Sequence, residues 1–170
     1  MADRTKLWIA EQMQQLMQEK PFSRIRTTEI CERAEIERST FYYHFKDKYD
    51  CAAWMFYHQA HETNGPDAVD LNRLRDSVIL NNGMLNDASR NVIWQYLQEY
   101  YVDAYASMAM GILHTDALDA QLLFSIRLYC CGAVSIIREW IEGESPVPAE
   151  VLLRMMHRSM PEQMQKIYTQ

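Results

Sequence analysis

Apolar positions recur at helical spacing along most of the chain. Leu7, Ile9, Met13, Leu16 and Met17, with Gln and Glu between them, predict a helix from about Arg4 to Glu19 that Pro21 ends. Thr27 and Thr28 open a second helix through "EICERA" to Ala34, and "EIE" at 35–37 leads into a third, Arg38 to about Phe45. A fourth begins at Asp47, with Asp50 three residues on in a capping-box-like pair, and runs to about Glu62. "TNGPD" at 63–67 is the clearest break in the pattern and the expected hinge. Beyond it the pattern predicts helices over about 68–80, 88–110 and 116–142, the last capped by Thr115. A helix over 149–158 follows, with Pro148 suited to its first turn, and a short one comes after Pro161.

Composition agrees with an all-α chain. Apolar residues make up 48% of the 170, enough for a core, and five Gly and five Pro are too few for a turn-rich sandwich or barrel. The net charge of −6 argues against a nucleic-acid partner until the chain is divided. Residues 1–50 hold nine Lys/Arg and nine Asp/Glu, so the entire deficit lies beyond residue 50. Between Lys20 and Lys48 there are seven basic and five acidic residues. The amino-terminal third is electrostatically its own region.

The stretch "ERSTFYYHFKDKYD", residues 37–50, sets rings and hydroxyls among cations. On a wheel of about 100° per residue, Phe41 and Phe45 face inward with Ile36 as a third anchor. Ser39, Thr40 and Tyr43 point the opposite way, flanked by Tyr42 and His44, with Arg38 reaching from the helix start. Two short helices joined by a tight turn, the second polar outside, describe a helix-turn-helix, whose second helix enters the major groove of DNA. Arg38 suits a guanine edge, which can take a guanidinium in bidentate fashion. Tyr42, Tyr43, His44 and Lys48 suit phosphates, Lys48 at a helix start where free N–H groups already favour anions. Tyrosine clusters also sit half-buried in cores with their hydroxyls wet, but the preceding "TTEICERA" helix favours the groove.

Residues 22–50, "FSRIRTTEICERAEIERSTFYYHFKDKYD", resemble the DNA-binding signature of the TetR/AcrR transcriptional regulators. Phe22, Ile25, Ile30, Ala34, Ile36, Thr40, Tyr42, Phe45 and Lys48 match in order and without gaps. The resemblance implies an all-α protein with an amino-terminal three-helix bundle carrying the helix-turn-helix, residues 1–47. A carboxy-terminal helical dimerisation and effector domain, residues 48–170, would follow. It implies a cytoplasmic homodimer that binds a palindromic double-stranded operator and releases it on binding a ligand: a repressor, not an enzyme. The alternative is an activator or adaptor governed by a partner protein. DNA contacts carry over to Thr27, Thr28, Arg38, Ser39, Thr40, Tyr42, Tyr43, His44 and Lys48. Three positions depart from the family pattern. Glu35 stands where glycine is usual, in a turn that often needs a left-handed backbone costing other residues about 1–2 kcal/mol. Arg26 replaces the usual threonine, which passes capping to Thr27, and Glu37 replaces serine or glycine before the recognition helix.

The remainder of the chain is read from its physics. In the 116–142 helix Leu122, Ile126, Tyr129, Ala133, Ile136 and Trp140 form one stripe and Leu123, Cys130, Val134, Ile137 and Ile141 a second. One stripe suffices for the parent domain, and the second calls for a symmetric partner across this helix and the 148–168 segment. Two recognition helices would then meet half-sites roughly 34–36 Å apart. Arg127 would cost about 2.5–3.5 kcal/mol at a bilayer centre, so the same helix reads as buried in protein, with no membrane partner. Trp94, Tyr96, Tyr100, Tyr101, Tyr105, Met108 and Met110 form a belt of rings and thioethers. Of these Trp94, Tyr100, Tyr101, Tyr105 and Met108, with Tyr129, are the candidate lining for a small apolar or aromatic effector, against the alternative of plain core packing. His58 and His61 are three apart, but no third ligand completes a metal site, and no cofactor is expected. Cys31, Cys51, Cys130 and Cys131 have no metal or disulfide spacing and read as reduced thiols. No nucleophile–base pair, phosphate loop or paired carboxylates occur at catalytic spacing.

Overall fold

The computed structural model describes residues 2–61, 69–82, 87–143 and 147–168, and every element among them is helical. They are α1 (Ala2–Glu19), a 3-10 turn (Phe22–Arg24), α2 (Thr27–Ala34), α3 (Arg38–His44) and α4 (Lys48–His61). There follow α5 (Leu71–Asn82), α6 (Asp87–Leu113), α7 (Ala120–Glu142), α8 (Ala149–Arg158) and α9 (Glu162–Tyr168). The expected break at 63–67 lies outside the described residues. Contacts divide the chain into two compact units between Leu97 and Gln98, within α6.

The boundary expected at 47/48 is therefore not a packing boundary. Cys51, Ala52, Ala53, Met55, Phe56 and Ala60 turn α4 into a core helix of the first unit, where it packs on α1 and α5. Around it Ile9, Met13, Met17, Phe22, Ile25, Ile30, Phe41 and Phe45 are almost fully buried. Burying each such side chain is worth about 1.5–3 kcal/mol. α1, α2 and α3 close over this core, so α3 is held by its inward Phe41 and Phe45, as the wheel predicts.

Local chemistry sets the ends of the helices. Glu35 takes the left-handed conformation, φ 55° and ψ 44°. Its N–H donates to Glu32 O at 3.3 Å and that of Ile36 to Cys31 O at 3.0 Å, the two bonds of a Schellman turn. The turn thus keeps the glycine geometry and accepts the strain of a glutamate. At the other end of α2 the cap differs from expectation: it is Arg26, not Thr27. Thr27 already has helical geometry, and Glu29 reaches back to accept from Arg26 N–H at 2.8 Å.

In the second unit Ala109, Leu122, Ile126, Cys130, Met160, Met164 and Ile167 form a core. α7 starts later than predicted because Asp119, not Thr115, accepts from Leu122 N–H at 2.9 Å. Thr115 instead closes a turn with Ala117. The two predicted stripes are redistributed as well. The buried stripe is Leu122, Ile126, Cys130, Val134, Ile137 and Ile141, at spacings of three and four, joined by Trp140. Leu123, Phe124, Leu128 and Ile136 are exposed, at 45%, 61%, 63% and 48%. Among the described residues α7 is the one helix long and apolar enough to cross a membrane, and only 33% of its most apolar stretch is buried. On that face the single chain leaves the helix open, so its enclosure in protein needs the second copy expected for the other stripe. Beside it, α7 and α8 flank an apolar groove of about 270 Å³ that includes Leu128, Ala133, Ile136, Met155 and Met156.

Candidate nucleic-acid interface

The outward face of α3 is built by its two inward phenylalanines. With Phe41 and Phe45 fixed, Tyr43 is left 80% exposed and Tyr42 49%. Arg38 and Ser39 are exposed beside them, and Thr40 and His44 are half-buried. Arg38 lies along Tyr42, its guanidinium 5.8 Å from the ring centroid and Nη2 3.5 Å from the hydroxyl. Tyr43 and His44 meet edge to face at 5.0 Å. The face thus combines a guanidinium, small hydroxyls and phenols, donors that match base edges and phosphates. Thr27 and Thr28 stand half-buried at the start of α2.

Lys48 is placed differently from the phosphate contact expected of it. Its ammonium donates to the carbonyls of Phe22 at 2.9 Å, Ile25 at 2.8 Å and Ser23 at 3.4 Å. It also lies 4.7 Å from the Phe22 ring centroid. All three N–H bonds are taken up, so Lys48 clamps α4 onto the 3-10 turn. Desolvation lowers its pKa below the usual lysine value, opposed by Asp47 and Glu29.

The helices around α3 are pinned by further polar contacts that periodicity does not reveal. Trp8 Nε1–H donates to Ala34 O at 3.0 Å, covering the end of α2 just before the left-handed turn. Lys20 pairs with Glu29 at 2.6 Å and Arg33 with Glu19 at 2.7 Å, tying α1 to α2. The Lys20 bond, then that from Arg26 N–H, lowers the Glu29 pKa. At the start of α4, Asp47 accepts from the N–H groups of Tyr49 at 2.8 Å and Asp50 at 2.9 Å. Asp50 in turn accepts from Lys46 N–H at 2.7 Å, the capping-box-like pair of the sequence.

The candidate effector lining is less coherent. Trp94 is buried in the first unit, while Tyr100, Tyr101, Tyr105, Met108 and Tyr129 are half-buried in the second. Tyr101, Tyr105 and Tyr129 pack on the second core with Tyr168, a ring the sequence reading missed. Tyr105 lies 6.1 Å from Tyr129 and 5.0 Å from Tyr168. Tyr129 donates to Met156 O at 3.1 Å and Tyr168 to Tyr105 O at 2.7 Å, and burial raises both phenol pKa values. Cys130 is buried, its thiol pushed up to about 12 by desolvation, and Cys131 is half-buried. A thiol held protonated this way is a poor nucleophile. His61 Nδ1 lies 2.7 Å from Tyr57 O. No group of three His, Cys, Asp or Glu gathers among the described residues.

A short helix with buried phenylalanines behind and donors in front, set across a tight turn from a supporting helix, defines a helix-turn-helix DNA-binding protein. Residues 14–53, from within α1 to the start of α4, match the family model of bacterial regulatory proteins, tetR family. Over those residues the chain is similar to that family, which supports a helix-turn-helix DNA-binding regulator. Among curated proteins none matches the chain.

Proposed function

We propose that the chain is a ligand-responsive repressor that binds a palindromic operator as a homodimer in the cytoplasm and catalyses no reaction. Residues 1–47 would read DNA, and residues 48–170 would dimerise and receive the effector. The observation that carries the reading is the outer face of α3, with Arg38, Ser39, Tyr42 and Tyr43 all exposed. Thr27, Thr28, Thr40 and His44 would complete the contacts to DNA, and Lys48 would act by holding the 3-10 turn. The exposed apolar side chains of α7 and the groove beside α8 suit a second copy, through about 116–142 and 148–168. An apolar or aromatic effector would lodge among Tyr100, Tyr101, Tyr105, Met108 and Tyr129 in the second unit.

The second reading is an activator or adaptor controlled by a partner protein. It is favoured by the ring cluster, where Tyr129 and Tyr168 already donate to main-chain carbonyls. Selecting bound duplexes from random DNA tests the main reading. Two inverted half-sites about 10–10.5 base pairs apart, centre to centre, are expected, since two-fold protein symmetry imposes that spacing. Recovery of a single unpaired site, or no enrichment, would count against it.

A further inference from the structure

The junction between α3 and α4 is Phe45, Lys46 and Asp47, and a side chain forty-nine positions beyond Asp47 holds the last two. Tyr96 of α6 donates its hydroxyl to Asp47 Oδ2 at 3.0 Å. Its ring also receives the Lys46 ammonium, 5.4 Å from the centroid. Asp47 Oδ1 meanwhile caps α4, and the Lys46 N–H is bound by Asp50. The junction's main chain is therefore fixed from inside α4, and Tyr96 reaches its side chains from α6. Phe45, at the end of α3, is extended at φ −139° and ψ 140° and leads directly into Lys46. A rotation at Lys46 or Asp47 would swing the exit of α3 and tilt Arg38 and Tyr43 off their targets.

We infer that Tyr96 is a positioning residue for DNA recognition, setting the angle of α3 through Lys46 and Asp47 without touching DNA itself. The inference rests on α3 being the reading helix. A small misplacement of a positioned group is costly wherever a contact depends on direction. Base-edge hydrogen bonds depend on direction, whereas the attraction between cations and phosphates is tolerant of it. Loss of Tyr96 should therefore weaken selective binding and spare non-selective binding.

The test compares wild type, Tyr96→Phe, Asp47→Ala and the double variant. Each is titrated at one fixed salt concentration with the duplex that wild type selects from random DNA and with a scrambled duplex of equal length. Tyr96→Phe keeps the ring for Lys46 and removes only the hydroxyl. It should weaken binding to the selected duplex about fivefold, the weight of one side-chain hydrogen bond. Binding to the scrambled duplex and the melting temperature should stay close to wild type. In the Asp47→Ala background the same change should have no further effect, because its partner is gone. Equal affinity of Tyr96→Phe and wild type for the selected duplex overturns the inference. Parallel loss on both duplexes with a lowered melting temperature also overturns it, leaving Tyr96 a purely structural role. If wild type prefers neither duplex, the reading of α3 fails and takes this inference with it; wild-type preference with an indifferent Tyr96→Phe sinks the inference alone.

Discussion

α3 and α7 both leave large side chains in solvent, and they do so with different chemistry. On α3 the exposed rings are Tyr42 and Tyr43, each with a hydroxyl and with Arg38 or His44 against it. On α7 the exposed large apolar groups are Leu123, Phe124, Leu128 and Ile136, none with a polar atom. A face of phenols and guanidinium keeps its hydrogen-bonding capacity for a polar partner. A face of bare hydrocarbon gains only by meeting another such face. Under the proposed function the contrast gives a groove of base edges and phosphates to one and a second copy of the chain to the other.

The sharpest way to break that contrast is to put a charge on α7. Leu128→Glu should raise the dimer dissociation constant about a hundredfold or more, since an unpaired carboxylate would be buried between apolar faces. Sedimentation at a series of concentrations reads this, and unchanged helical content shows that the monomer still folds. A dimer indifferent to Leu128→Glu would place the self-association surface elsewhere.

On α3, Arg38→Ala should remove about 1–3 kcal/mol of preference between the selected duplex and its base-substituted versions. Competition titrations at constant salt measure it. Equal loss on every duplex would make Arg38 a phosphate contact, not a base reader.

Lys48→Met separates clamp from contact. Three carbonyls lose their donor, so the chain should lose about 1–3 kcal/mol of stability in urea, with weaker DNA binding only as far as folding is lost. An unaltered urea midpoint with weakened DNA binding would return Lys48 to the phosphate role expected from sequence.

The smallest effect is expected in the turn between α2 and α3. Glu35→Gly should stabilise the chain by about 1 kcal/mol, because φ 55° is strained for glutamate and free for glycine. Thermal melting would show a rise of a few degrees, and a fall would mean the side chain earns its place by another contact.

What the sequence made legible follows the range of each interaction. α1 to α4 lie within a few residues of their expected bounds because caps, turns and apolar spacing are local signals. The inward Phe41 and Phe45 follow from a wheel, and the left-handed Glu35 from the glycine usual at that position in the family the sequence resembles. The Lys48 clamp was not legible, because its acceptors are main-chain carbonyls more than twenty residues away, on a turn with no side-chain signature. The same holds for Trp8 on Ala34 and Tyr96 on Asp47. In α7 nearly every position is apolar, so periodicity could not choose which stripe turns inward. The packing of α7 against α9 chose it, and left Phe124 and Leu128 outside.

Amide hydrogen exchange of the wild-type protein, with and without its selected duplex, tests the assignment of the two faces most directly. Added duplex should slow exchange around Thr27–Thr28 and through Arg38–His44 and leave Ala120–Glu142 unchanged. Slowed exchange in α7 on adding duplex, with α3 unaffected, would contradict it.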